Sequence, residues 1–159
     1  YLHDTLENNT GMDFCIGVAG YPEKHIEAPS KTFDLEKLKE KVDNGADYVV
    51  TQMFFDNKQY FDFVEKARQM GINVPIIPGI KPISVKRHLN IIPQAFFLDF
   101  PEELVKEIEK CKNNNEVKQV GIEWAIAQSK ELRQAGVPSL HYYSMGKSEN
   151  IIQIISKVF

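Results

Sequence analysis

The chain has 159 residues, a hydrophobic fraction of 43%, a charged fraction of 26% and a net charge of −3. That is enough chain for one domain with a real core, and the mix is too apolar for a disordered one. The weak negative charge excludes bulk attraction to nucleic acid or to an anionic membrane, and no apolar run approaches the ~20 residues needed to span a bilayer. The start, YLHDTLENNTG, lacks the basic and apolar stretches of a signal peptide and has no initiator Met, so a piece of a longer chain is expected. Cys15 and Cys111 stand far apart in no metal-ligand spacing. They read as free thiols of a cytoplasmic protein, and no metal is expected.

In chain order, FCIGVAGY (14–21) is a short, largely apolar run ended by Gly and Pro, which suits a strand buried on both faces. FDLEKLKEKVDNG then places Leu35, Leu38 and Val42 at helical spacing, with Thr32 or Asp34 as the expected N-cap and Gly45 at the stop. DYVVTQMFF (47–55) is a second strand. Asp56 with Gln59 three residues later matches a capping box, and Phe63, Val64, Ala67 and Met70 form the stripe of a helix stopped by Gly71. VPIIPGIKP (74–82) is a third strand. SVKRHLNII (84–92) reads as a short helix ended by Pro93, and Pro101 takes the first position of another, packed through Leu104, Val105 and Ile108. KNNNE (112–116) reads as a polar turn, followed by a long helix to Gly136. SLHYYSM (139–145) is a fourth strand and SENIIQIISKVF a last helix.

Strand–helix alternation with right-handed crossovers means a parallel sheet. Four βα units amount to half of a TIM (β/α)8 barrel, with a small open α/β sheet as the alternative. No dinucleotide or P-loop fingerprint occurs.

In such folds the loops at strand C-termini carry the chemistry. The first strand presents Tyr21, Glu23 and His25 there. The second carries Thr51 and Gln52, then Asp56; the third gives Lys81 and, further on, His88; the fourth offers His141, Tyr143 and Lys147. Singly, each has an ordinary reading: half-buried tyrosines with wet hydroxyls, a loop histidine, and, for Lys31, Lys37, Lys39 and Lys41, a solvated helix face. Gln52 is different, because an amide in a buried strand needs partners at a cost of ~1–3 kcal/mol if it finds none. Together the strand ends describe a polar, aromatic-walled pocket for a flat ligand, with no nucleophile elbow and no recognisable acid–base pair.

The segments AGYPEKHIEAPS, DLEKLKEKVDNGADYVVTQMFFD, PIIPGIKPIS and HYYSMGKSENI resemble, in order and spacing, the methylenetetrahydrofolate reductases. The resemblance runs from about Phe14 to the C-terminus, with residues 1–13 and 93–115 lacking matching landmarks. It implies a (β/α)8 barrel, of which residues 14–159 are the C-terminal half and residues 1–13 the edge of the fragment. It implies bound FAD and the reduction of 5,10-methylenetetrahydrofolate to 5-methyltetrahydrofolate by NADH or NADPH. Tyr21, His25, Ala28, Asp34 and Lys41 match residues holding the FAD, with Lys37 and Glu40 as weaker matches on the same helix. Gln52, His88, Tyr143 and Lys147 match substrate-side residues. Lys147 stands where some members carry arginine, and Ile92 where the family carries an aromatic that stacks on the folate. The resemblance puts the acid that supports folate protonation in a missing N-terminal half, so no catalytic residue is assigned here. That half, a folate substrate and further copies of the chain are the expected partners. The alternatives are a non-catalytic FAD- or folate-binding fragment and a hydride-transferring barrel with another substrate.

Overall fold

The computed structural model describes residues 14–146 and 148–159. Four strands, β1 (Gly17–Gly20), β2 (Tyr48–Met53), β3 (Ile76–Ile80) and β4 (His141–Tyr142), form one sheet in the order β1-β2-β3-β4, with every pairing parallel. The helices are α1 (Lys31–Asp43), α2 (Asn57–Gln69), α3 (His88–Ala95), α4 (Glu102–Lys110), α5 (Asn114–Gln134) and α6 (Glu149–Val158). The elements follow the expected order, but β1 and β4 are shorter than the apolar runs that announce them. Residues 1–13 lie outside the described residues.

The helix ends show where local signals compete. Ser30, not Thr32 or Asp34, caps α1: its hydroxyl accepts the Phe33 N–H at 3.1 Å. The Asp34 carboxylate is engaged elsewhere, by the His25 amide at 2.8 Å. Asp56 caps α2 by accepting the Lys58 N–H, while Gln59 turns to Lys31 rather than completing the box. Pro93 lies inside α3 instead of ending it. It falls in the last turn, so only one helical bond is forfeited before Phe96 turns extended. Pro101 is the N-cap of α4, because its ψ of 137° is extended and the helix begins at Glu102. The KNNNE cluster is a cap rather than a turn: the Asn113 side chain accepts the Asn115 and Glu116 amides, and Glu116 reaches back to the Lys112 N–H. Gly45, Gly71 and Gly136 follow the helix ends with φ of 105°, 79° and 78°, the left-handed turn that glycine adopts without strain.

Helices α1, α2, α5 and α6 pack on one face of the sheet, through Leu35, Leu38, Phe63, Ala67, Ile122, Leu132 and Ile154 against Val49, Ile76 and Ile80. A second cluster joins Met53, Phe55, Ile83 and Ile92 to Leu104, Ile108 and Val117 of α4 and α5. Adjacent Phe54 and Phe55, both nearly inaccessible, enter different clusters, so the chain leaving β2 pins the two together. The alternate residues Ala19, Val50, Gln52 and Ile77 point to the opposite sheet face and are exposed or half-buried.

Candidate functional site at the strand ends

The loop leaving β1 is built by its own polar groups. The Asp34 carboxylate in the first turn of α1 accepts the His25 N–H, the Ala28 N–H donates to the His25 carbonyl at 3.0 Å, and Lys24 Nζ donates to the Ala28 carbonyl at 2.6 Å. His25 stands edge-on to Tyr21 with ring centroids 4.7 Å apart. Its Nδ1 accepts the Glu27 N–H at 3.2 Å, which leaves Nε2 as the imidazole's outward donor. Burial, with the Asp34 charge adding to it, raises the Tyr21 hydroxyl above the usual phenol range, so it stays a neutral donor.

Tyr21, His25 and Gln52 line one small cavity of about 100 Å³, closed by Glu23, Ala95, Phe96 and Phe97. Gln52 Oε1 accepts the following Met53 N–H at 2.9 Å. Its amide nitrogen has no hydrogen-bond partner among the described residues and is available to a ligand. Glu23, which the sequence places at a strand end without a role, is only 6% exposed. One carboxylate oxygen accepts the Asp99 N–H at 2.8 Å, and the other has no partner among the described residues. Burial pushes this carboxyl up to about 7 against the pull of the Asp99 amide; the Asp99 and Asp56 charges add to the rise and Lys31 opposes it.

A second knot joins β2, β3 and β4. The β2–β3 register is irregular between Val50 and Met53. There the buried Thr51 hydroxyl accepts the Gly79 N–H at 2.9 Å. The Thr51 carbonyl accepts the Tyr143 hydroxyl at 2.9 Å. Only glycine fits at 79, since a Cβ there would lie 2.2 Å from the Thr51 carbonyl oxygen. Tyr143 is therefore held in place through its hydroxyl, and its ring is what it offers to a ligand.

Tyr143 also lines a wider cavity of about 380 Å³ with Lys81, His88, Ile92 and Asn150. His88 Nδ1 accepts the Ser84 N–H at 3.4 Å. Burial, and then the charges of Lys81 and Arg87, lower its basicity, so the ring is neutral at physiological pH. Burial likewise lowers the Lys81 ammonium below its ordinary value. Ile92 is buried and supplies an aliphatic wall rather than an aromatic face.

The structure thus gathers Tyr21, His25 and Gln52 in one cavity and His88 and Tyr143 in another. Ala28 and Asp34 stand behind the first as supports. Lys37 and Glu40 pair with each other at 2.7 Å on the exposed side of α1, and Lys41, also exposed, lies one turn on from Lys37. Asp34, Lys37 and Lys41 share a helix face by their spacing. Lys147 lies outside the described residues. Phe96 and Phe97 carry no signal that sequence reasoning could have used, because their place on the β1 loop depends on how α3 and α4 pack. Among the described residues no group of three or more His, Cys, Asp and Glu side chains is placed to hold a metal, and no helix is long and apolar enough to cross a membrane.

Fold and site together define a parallel α/β protein with two cavities at its strand C-termini. Comparison with known proteins narrows this. The family model for methylenetetrahydrofolate reductase matches residues 2–158, including the 93–115 stretch where the sequence offered no landmark. The chain is 41% identical over 166 residues to the Arabidopsis thaliana methylenetetrahydrofolate reductase (NADH) 1, covering 97% of this chain and 28% of the relative. It is 37% identical over 155 residues to a probable methylenetetrahydrofolate reductase (NADPH) of Caenorhabditis elegans, covering 96% and 23%. It is 37% identical over 138 residues to the 5,10-methylenetetrahydrofolate reductase of Pectobacterium carotovorum, covering 86% and 46%. A solved structure of an uncharacterized Clostridium thermocellum protein that binds two copies of 5-methyl-5,6,7,8-tetrahydrofolic acid superposes with a TM-score of 0.60 at 19% identity, over 97% of this chain and 55% of that one. The chain belongs to the methylenetetrahydrofolate reductase family, and it spans less than half the length of these curated relatives.

Proposed function

We propose that the full-length protein is a methylenetetrahydrofolate reductase that converts 5,10-methylenetetrahydrofolate to 5-methyltetrahydrofolate with NADH or NADPH, and that this chain supplies the FAD-holding loop and part of the folate site. The observation that carries the reading is the donor set at the strand ends. Tyr21 and His25, packed edge to face, line one cavity with a Gln52 amide whose N–H2 has no partner among the described residues, which is chemistry that suits a flat, carbonyl-rich heterocycle. The fit to a flavin rests on two aromatic rings and the Gln52 N–H2, with Lys24 as an ammonium and Glu23 as a buried carboxyl in the same lining. A bound FAD would supply hydride transfer between nicotinamide and folate. The residues of this chain bind and orient. Tyr21 and His25 Nε2 flank the cofactor, Asp34 and Ala28 fix the loop that carries them, and Lys41, with Lys37 and Glu40 nearby, faces its phosphate and ribose portion. Gln52 would offer its N–H2 to the pterin or nicotinamide ring. Tyr143 walls the folate side, His88 offers a neutral donor, and Lys147 meets the glutamate tail as a point charge.

The strand order supports a place in a (β/α)8 barrel. Four consecutive parallel strands without a switch point suit a barrel rather than a doubly wound sheet. The half-covered face bearing Ala19, Val50, Gln52 and Ile77 suits an interior completed by the rest of the protein, where the acid that assists folate protonation resides. A cytoplasmic homo-oligomer serving one-carbon metabolism and methionine supply completes the reading. The test is to purify the full-length protein, record its flavin absorbance, and follow NADH and NADPH oxidation with menadione and then with methylenetetrahydrofolate as acceptor. Bound flavin and folate-dependent turnover are expected. A non-catalytic binding protein would bind flavin or folate and oxidise neither nucleotide; a hydride-transferring barrel with another substrate would reduce menadione and ignore the folate.

A further inference from the structure

The segment between α3 and α4 forms one wall of the Tyr21–His25–Gln52 cavity through Phe96 and Phe97. It is tied to the β1 loop twice. Glu23 accepts the Asp99 N–H across 76 residues of chain, and Lys24 Nζ stands 4.5 Å from the centre of the Phe97 ring. The first tie is unusual, because a carboxyl that is 6% exposed keeps one oxygen without a donor among the described residues. A buried, unsatisfied carboxylate oxygen costs more than the single hydrogen bond returns, so Glu23 is an expensive way to hold a backbone amide unless its protonation is used.

We propose that Glu23 is a positioning residue that latches the 96–99 segment onto the β1 loop, holding the aromatic wall of the ligand cavity in place. The identity of the ligand rests on the function proposed above; the latch itself does not. The charged groups acting on Glu23 are Asp99 on the latched segment, Asp56 at the head of α2 and Lys31 at the start of α1, and Lys24 and His25 of its own loop line the same cavity. Burial of the carboxyl with one oxygen unpartnered among the described residues, and then the two carboxylates that reach it against the one ammonium, make the protonated form the one that the closed latch favours. Opening exposes the carboxyl to water and releases the proton. Closure is therefore strongest in acid, weakens as pH rises from about 5 to about 7, and is independent of pH above that.

The test uses hydrogen exchange on the full-length protein, with the Asp99 amide corrected for its intrinsic rate. Its protection is expected to fall by up to about tenfold per pH unit between pH 5 and 7. Glu23→Gln keeps a carbonyl for the Asp99 amide and cannot titrate, so its protection is expected to be flat with pH. Glu23→Ala is expected to lose Asp99 protection while β2 amides keep theirs, and to release flavin more readily, read by flavin fluorescence. A pH-independent parent, a Glu23→Gln variant that keeps the parent's slope, or flavin binding unchanged when Asp99 is deprotected would each overturn the positioning role. If the parent binds no flavin, the functional reading falls, and the Asp99 profile still decides the latch.

Discussion

The Tyr143 hydroxyl donates to the Thr51 carbonyl at 2.9 Å, joining the last strand to the second across 92 residues of chain. In the same knot the Thr51 hydroxyl accepts the Gly79 N–H, so one residue of β2 is tied both to β3 and to the end of β4. Tyr143→Phe leaves that carbonyl without its donor. We expect a loss of about 1–3 kcal/mol in stability by denaturant titration. Because the ring remains, folate KM is expected to move less than in Tyr143→Ala.

Gly79→Ala tests the close approach in the same knot. A methyl 2.2 Å from a backbone oxygen has no flexible neighbour to displace, and Tyr143 crowds the same spot at 2.7 Å. We expect destabilisation of about 1–3 kcal/mol or more, seen as a lowered melting temperature, together with loss of ligand binding as β2 and β3 move apart.

Tyr60 gives an alkaline signature. Its hydroxyl donates to the Ile76 carbonyl at 2.7 Å, and burial pushes it up to about 12, with Arg68 opposing. The unfolded chain ionises near pH 10, so the folded state holds the extra proton between about 10 and 12. The stability this confers is full below pH 10 and is lost as pH rises towards 12. Tyr60→Phe removes that part of the slope; other tyrosines are raised as well, so the difference between the two pH–stability curves is the quantity to measure.

Gln52→Glu separates the two halves of the amide. The acceptor to the Met53 N–H survives and the unengaged N–H2 is replaced by a charge. Under the proposed function, kcat/KM for the folate is expected to fall by about tenfold or more, the loss of roughly one hydrogen bond plus a desolvated charge, with the fold intact by circular dichroism.

Much of the fold was legible because hydrophobic period and glycine punctuation are local. The order of four strands, the helix stripes and the stops at Gly45, Gly71 and Gly136 need only nearest neighbours along the chain. The misreadings at Thr32, Pro93, Pro101 and KNNNE are all at element ends, where two caps compete within a turn and packing chooses. The site was legible to the extent that it sits on strand ends: Tyr21, His25 and Gln52 can be named from the sequence, and they share a cavity. That Asn57 would be buried beside Gln128, its side chain donating to the Gln128 carbonyl at 3.1 Å and to Glu131 at 2.7 Å, was not legible, since its partners lie more than 70 residues away.

The sequence by itself determined the kind of protein: alternating strands and helices, polar residues at the strand ends, and motifs specific enough to point to one family. Only the tertiary structure decided which of those residues line a cavity and which hold the others in place. Asp34 became a support for His25, the Tyr143 hydroxyl a tie to Thr51, and Glu23 a buried carboxyl latched to Asp99. The reason is physical. A side chain's type is written in the chain, but whether its polar atoms are already satisfied depends on neighbours brought in from distant segments, and only the unsatisfied ones are left for a ligand.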